Sequence, residues 1–345
     1  MSYLGYMKNS EIKSMYKINK IVRPHSVVLL FPLLWGLSIN FSYEKAILHW
    51  AYVAGLFCVI GLIIPKSNLK ASLSNPIFIL TTLFTIYASI CYFTIGFSSS
   101  LIRASLSALL IMLFTPKDIL IQHRRTLFVC TIICAVIAIC FSSYQSYILD
   151  LSRSHWRINP IPYTTFSCCI AIIAFYWSFH IKGKMCSLLL VVSCSVSLAS
   201  LYVAQTRGVW LAFSGGILVS ILILFLKDRT IRLSLLFTHL VLFGATTLLF
   251  HGKVEQRIEQ TRVEATKIQE ENYHTSFGSR LQMWDAGLKI IQQEGVWGVG
   301  DRHSEIKRKM YLDGKLSKSV VSWTHYHNIF IDSLVRYGFL GSCLS

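Results

Sequence analysis

With 54% apolar residues, 14% charged residues and a mean hydropathy of +0.54, this 345-residue chain falls far short of the ~25% charged residues of a soluble globular domain. A net charge of +17 would suit a nucleic-acid binder, but most of the basic residues lie in short loops between apolar runs. That pattern signals membrane topology and excludes nucleic acid as the partner.

The polar segment up to Arg23 is followed by a long apolar run, so no cleavable signal peptide is evident. The apolar runs predict spans at 24–40, 46–64, 76–96, 100–115, 126–148, 162–181, 186–204, 208–226, 233–251 and 327–345. Each should be helical, because backbone exposed to lipid must satisfy its own hydrogen bonds. The expected fold class is therefore an all-α polytopic membrane protein with about ten transmembrane helices. On one side the loops carry Lys8, Lys13, Lys17, Lys20, Arg23, Lys66, Lys70, Lys117, Arg124, Arg125, Lys182, Lys184, Lys227, Arg229 and Arg232. The short loops of the other side hold only Lys45, Arg103, Arg153, Arg157 and Arg207. This bias places the N-terminus in the cytoplasm and, in a Gram-negative inner membrane, the opposite loops in the periplasm.

Three parts follow: 1–251 with a cytoplasmic tail and nine helices, a periplasmic loop over 252–326, and the start of a tenth helix at 327–345. The loop is far longer than an ordinary connection. Lys253 to Asn272 predicts a solvated helix charged all round. A second, amphipathic helix is expected from Ser279 to Gln293, with Leu281, Trp284, Leu288 and Ile291 as its apolar stripe, lying on the membrane surface or on the helix bundle. Gly295 to Gly300 ends it, and a basic stretch (Arg302, Lys307, Arg308, Lys309) leads to Trp323-Thr-His-Tyr-His-Asn328. The last run stops at Ser345 without a flanking charge, which predicts further helices beyond it.

Ten cysteines lie within or at the ends of apolar runs and read as helix-packing residues. A thiol or metal pair at Cys130/Cys134 or Cys168/Cys169 is the alternative. Several chemistries lack their residues: a Gly-rich phosphate loop, a mid-span carboxylate for ion coupling, an Asp-x-Asp pair and a His-Glu-x-x-His zinc site. What remains is a set of cations and histidines near the periplasmic boundary. Arg207, in Gln205-Thr-Arg-Gly208 between two apolar runs, is either a flanking charge or a buried anion site, for which a planar guanidinium fork is suited. Arg153 and Arg157 either are solvated loop charges or face the same cavity. Arg280, at the start of the amphipathic helix and four residues before Trp284, is either a surface helix charge or one of this cation set. His325 and His327, with Asn328, lack an obvious third metal ligand; a general base is the other option.

Three stretches in order resemble the O-antigen ligase/polymerase superfamily of bacterial envelope glycosyltransferases. They are Gln205-Thr-Arg-Gly-Val-Trp-Leu-Ala212, Ser279-Arg-Leu-Gln-Met-Trp-Asp-Ala-Gly287 with Gly298-Val-Gly300, and the segment from His327-Asn328 to Gly341. The long loop after the ninth span fits too. The family commonly has a Pro before its Gly-x-Gly, where this chain has Gly295-Val-Trp297. The resemblance implies a metal-independent glycosyltransferase without cofactor, moving a glycan from undecaprenyl pyrophosphate to lipid A-core oligosaccharide. It assigns Arg207 and Arg280 to the pyrophosphate and His327 to the acceptor hydroxyl. His325 is the alternative base, and Arg153, Arg157 and Asn328 are further candidates for pyrophosphate or acceptor binding. An O-antigen polymerase is the close alternative, and a protein O-oligosaccharyltransferase the next. A polysaccharide or lipid flippase would share the helices but would not need the His-Asn pair.

Overall fold

A computed structural model describes residues 73–96, 99–114, 124–156, 158–270, 272–294 and 296–344. The spans expected at 24–40 and 46–64, and Arg157, lie outside the described residues. Among the described residues every regular element is helical. In chain order they are α1 (Pro76–Thr94), α2 (Ser99–Phe114), α3 (Arg124–Ser143), α4 (Pro160–His180), α5 (Lys184–Val203), α6 (Arg207–Ile223), α7 (Leu233–Leu249), α8 (His251–Gln269), α9 (Ser276–Glu294), α10 (His303–Leu312), α11 (Lys318–Val321) and α12 (Ile329–Leu344). The helix starts follow local chemistry. Asn75 and Asn159 each precede a proline at the first helical position, and their side-chain oxygens accept from the amides of Ile77 and Ile161, both at 3.0 Å.

A helix stands at each predicted span within the described residues. Five of the stretches (Pro76–Thr94, Arg124–Ile148, Pro160–His180, Lys184–Val203 and Arg207–Asp228) are long and apolar enough to cross a membrane. The 17-residue α7 makes a sixth only when taken with the helix after it. This is a multi-pass membrane protein, with large apolar side chains such as Leu211, Phe225, Phe237 and Leu240 directed outward.

The described residues divide into two compact units, one within 124–251 and one combining those of 73–114 with those of 252–344. In the first, α5 is the central and most buried of the long apolar helices. Beside Leu190, Val191, Leu198, Leu201 and Val203, its buried residues include many small ones: Ser187, Ser193, Cys194, Ser195, Ser197, Ala199 and Ser200. Small side chains let helix backbones approach, which drives helix association in lipid where hydrophobicity cannot. Their hydroxyls bond within the bundle, Ser193 to Leu189 O at 2.7 Å and Ser167 of α4 to Ser197 O at 3.2 Å. Buried His239 of α7 meets Ser178 Oγ at 3.0 Å among the rings of Phe175, Phe179 and Phe243. Arg232 donates to the last carbonyls of α4, at 2.8 and 2.9 Å. Among the described residues no disulfide joins two cysteines.

In the second unit α8 buries no residue, as its all-round charge predicts. α9 differs from expectation. Leu288 faces outward, and the inward face is Ser279, Met283, Ala286, Gly287 and Ile290, flanked by Trp284 and Ile291. Gly287 sets this rotation. A Cβ there would come within 2.4 Å of the Ile331 side chain and 3.1 Å of the Tyr326 ring, so the helix turns its smallest residue toward its neighbours.

α12 also differs. The expected span at 327–345 is not one continuous helix but breaks at Gly338 (φ 63°, ψ −172°). Gly298 (φ 73°) crosses it there, backbone on backbone. Val299 N–H donates to Val335 O at 2.8 Å, and Tyr87 of α1 donates to Tyr337 O at 2.6 Å. Gly300 sits as closely on the end of α1, where Asp301 N–H donates to Gly96 O at 3.0 Å. The Gly-x-Gly is thus a packing device that joins α1, the chain after α9 and the break in α12.

Candidate functional site

The candidate residues divide between the units. Arg153 and Arg207 belong to the first, and Arg280, His325, His327 and Asn328 to the second.

In the first unit, α5 turns into α6 through Ala204-Gln205-Thr206, with Gln205 in the left-handed region (φ 52°) and Thr206 buried. Trp210 staples the turn, its indole N–H donating to Leu201 O at 3.0 Å and its ring meeting Tyr202 edge-on. The turn therefore places Arg207, half-buried, at the first position of α6. A helix N-terminus presents unpaired amides and a partial positive charge, and a guanidinium beside it adds a forked donor for an anion. Arg153 lies half-buried in the short 3₁₀ turn Arg153–His155 after α3. Trp156 of that connection and Ala204 of the α5–α6 turn share one apolar cluster. Both connections therefore lie at one end of the α3–α6 bundle, while Lys182, Lys184, Lys227, Arg229 and Arg232 occupy the connections of the other.

In the second unit α9 carries Arg280, half-buried in its first turns, and Trp284 one turn later. The Trp284 indole N–H donates to Tyr326 O at 3.0 Å, tying this helix to the histidine turn. Within that turn the side chains alternate. Tyr326 is fully buried between Gly287, Lys307 and His303. Trp323, His325 and His327 stack on the other side, with His327 edge-on to Trp323 (centroids 4.6 Å apart) and tilted on His325 (4.1 Å). His327 has φ 51°. A non-glycine residue in that region is uncommon, and such strain gathers at functional sites. Asn328 caps α12, its Oδ1 accepting from Phe330 N at 3.0 Å and Ile331 N at 3.3 Å.

Burial pushes the His327 imidazole down to about 4; His325 and Arg280 add to the shift and Asp332 opposes it. The ring is then neutral at physiological pH, the form in which it can accept a proton, and Arg280 is near enough to be felt there. The sign of the pH dependence follows. A depressed pKa keeps the base free as pH falls through 6.5, so transfer should hold down to roughly pH 5 and fail through about pH 4. Initial rates from pH 4 to 8 check this, and an acid limb centred near 6.5 would contradict it.

Reasoning from sequence missed the supports of the turn: Lys307, Asp332, Arg336 and the anchoring role of Tyr326. Lys307 looked like one of a basic stretch, yet it is fully buried, its Nζ donating to Trp323 O. Burial, then Arg336, lowers it to about 8, against the pull of Asp332. The Asp332–Arg336 pair was the findable signal, since opposite charges four apart face each other on a helix. Among the described residues no group of three His, Cys, Asp or Glu side chains stands together as a metal site would require.

Residues 189–344, which take in Arg207, Arg280 and the histidine turn, match the family described as O-antigen ligase. Over these residues the chain is similar to that family. The family match thus spans the two candidate clusters and the Gly-x-Gly crossing, and it leaves Arg153 outside. An uncharacterized protein of Haemophilus influenzae strain Rd is 24% identical over 244 residues, covering 67% of this chain and 60% of that protein. The chain therefore spans about 60% of that relative's length.

Proposed function

We propose that this chain is an O-antigen ligase of the bacterial inner membrane. It would transfer a glycan from undecaprenyl pyrophosphate to lipid A-core oligosaccharide on the periplasmic side. The observation that carries this reading is the family match over 189–344, which contains every residue assigned to the chemistry. His327 takes the proton of the acceptor hydroxyl as that oxygen attacks the anomeric carbon. The bond from that carbon to the pyrophosphate oxygen breaks, and its electron pair leaves with the lipid pyrophosphate. Arg207 and Arg280 are assigned to the negative charge that builds on the leaving group, stabilisation that needs only fixed donors. Arg153, Arg157, His325 and Asn328 are weaker candidates for contacts to the pyrophosphate or acceptor. A polymerase, which would extend one lipid-linked glycan with another, uses the same chemistry and differs only in the acceptor.

The test is expression in two Gram-negative hosts, one lacking its ligase and one lacking its polymerase, with lipopolysaccharide read on gels. A ladder restored in the ligase-null host supports the ligase. A ladder restored only in the polymerase-null host means the polymerase, and restoration in neither, with the protein present in the membrane, refutes both. Arg207→Lys keeps the charge but loses the fork. One lost charge-assisted hydrogen bond of about 1.5–3 kcal/mol should slow transfer roughly 10- to 100-fold. Unchanged turnover in Arg207→Lys would show that bidentate contact is not needed there.

A further inference from the structure

Tyr326 is the best-held residue of the histidine turn. Its side chain is fully buried, and the peptide planes on both sides of it are fixed by other elements. Asp332 Oδ1 accepts from Tyr326 N–H at 3.1 Å, fixing the plane shared with His325. Trp284 of α9 donates to Tyr326 O at 3.0 Å, fixing the plane shared with His327. Because a peptide plane is rigid, only φ and ψ remain to orient His327, and its φ is the unusual 51°. Such a conformation persists only where the surroundings over-determine it.

We propose that Asp332 and Trp284 are positioning residues for His327, acting through the two peptide planes that flank Tyr326. This role rests on His327 being the acceptor-activating base. Asp332 is itself well held. Its amide donates to Asn328 O at 2.9 Å in the first turn of α12. Its Oδ2 lies 3.1 Å from Arg336 Nε, an ion pair without hydrogen-bond geometry. Arg336 also donates to Thr324 O, and its Nη1 lies 3.5 Å from Asp301. Lys307 takes the Trp323 carbonyl. Three carbonyls of the turn, those of residues 323, 324 and 326, are thus each met by a donor from α10, α12 or α9. This explains why the first turns of α12 carry an Asp and an Arg in an otherwise apolar segment: they hold the loop that precedes their own helix.

The test uses the purified full chain in detergent and reads diethylpyrocarbonate modification at individual histidines by mass spectrometry, beside steady-state transfer. In the parent, His327, packed between two rings, should react more slowly than its exposed neighbour His325. Asp332→Ala and Trp284→Phe should raise the His327 rate severalfold toward that of His325. They should lower kcat roughly 100-fold with KM unchanged, since small misplacements of a reacting group cost that much. Asp332→Asn keeps the acceptor oxygen and should restore both. Buried His239, in the other unit, should stay protected in every variant. The inference is overturned if Asp332→Ala leaves His327 as slow as in the parent, or if Asp332→Asn is as impaired as Asp332→Ala. It is equally overturned if His239 becomes reactive together with His327, because Asp332 then supports the fold at large. A parent without transfer activity that still shows the modification pattern would refute the proposed function and leave the clamp standing.

Discussion

His327→Asn is expected to lower glycan transfer by roughly 10²- to 10⁴-fold, the usual worth of a general base, while the protein stays folded in the membrane. Asparagine is the right replacement because it tolerates the left-handed backbone that His327 adopts (φ 51°), whereas alanine would add a conformational cost. The turn itself should survive, since its anchor is the buried Tyr326 and not the His327 ring. His325→Asn serves as the comparison. That imidazole is exposed, so its loss removes a neighbour of His327 and little packing. The measurement is a single-turnover assay with lipid-linked glycan and acceptor, beside immunoblots of the membrane fraction. An active His327→Asn with an inactive His325→Asn would transfer the role of base to His325.

Gly338→Ala should have the largest effect on stability. At φ 63° and ψ −172° the backbone occupies a region that is essentially glycine-only, so any Cβ costs about 1–3 kcal/mol in conformation alone. That Cβ would also lie 2.3 Å from Val296 O and 2.5 Å from Gly298 N, backbone atoms that cannot swing aside as a side-chain tip can. Overpacking adds about 1–3 kcal/mol more, for a total of roughly 2–6 kcal/mol. Gly298→Ala meets the same crossing from the other strand of chain, with Gly338 N at 2.4 Å and Arg336 O at 2.5 Å, and should be as damaging. Gly314 is the control. It too has positive φ (72°), but nothing lies within 4 Å of its added Cβ, so Gly314→Ala should cost only the conformational part. Thermal unfolding of the purified variants in detergent ranks the three, and a Gly338→Ala protein as stable as Gly314→Ala would remove the crossing as a structural element.

Much of the molecule was legible because hydropathy is local. The helices from α1 to α7 stand where the apolar runs predict them, to within a few residues at their ends. The all-polar α8 was legible for the same reason: residues charged on every side have no face to bury. Arg207 and His327 stood out because each is a polar group at the edge of an apolar run, where a charge or an imidazole needs a reason.

Only the tertiary structure decided the rest, and in each case the cause lies far away in sequence. The face of α9 that turns inward was set by what it meets: Tyr326 and Ile331 fill the space over Gly287, so Leu288 turns outward despite its fit to the apolar stripe. The break in α12 at Gly338 packs backbone on backbone against Gly298, 40 residues earlier, a contact that no local pattern carries. Lys307 reads as a solvated charge until α10 folds it under the Trp323 carbonyl and the Tyr326 ring. Periodicity reports which residues share a face. It carries no term for a hydrogen bond such as that between Trp284 and Tyr326, which forms only when two elements separated along the chain are brought into register.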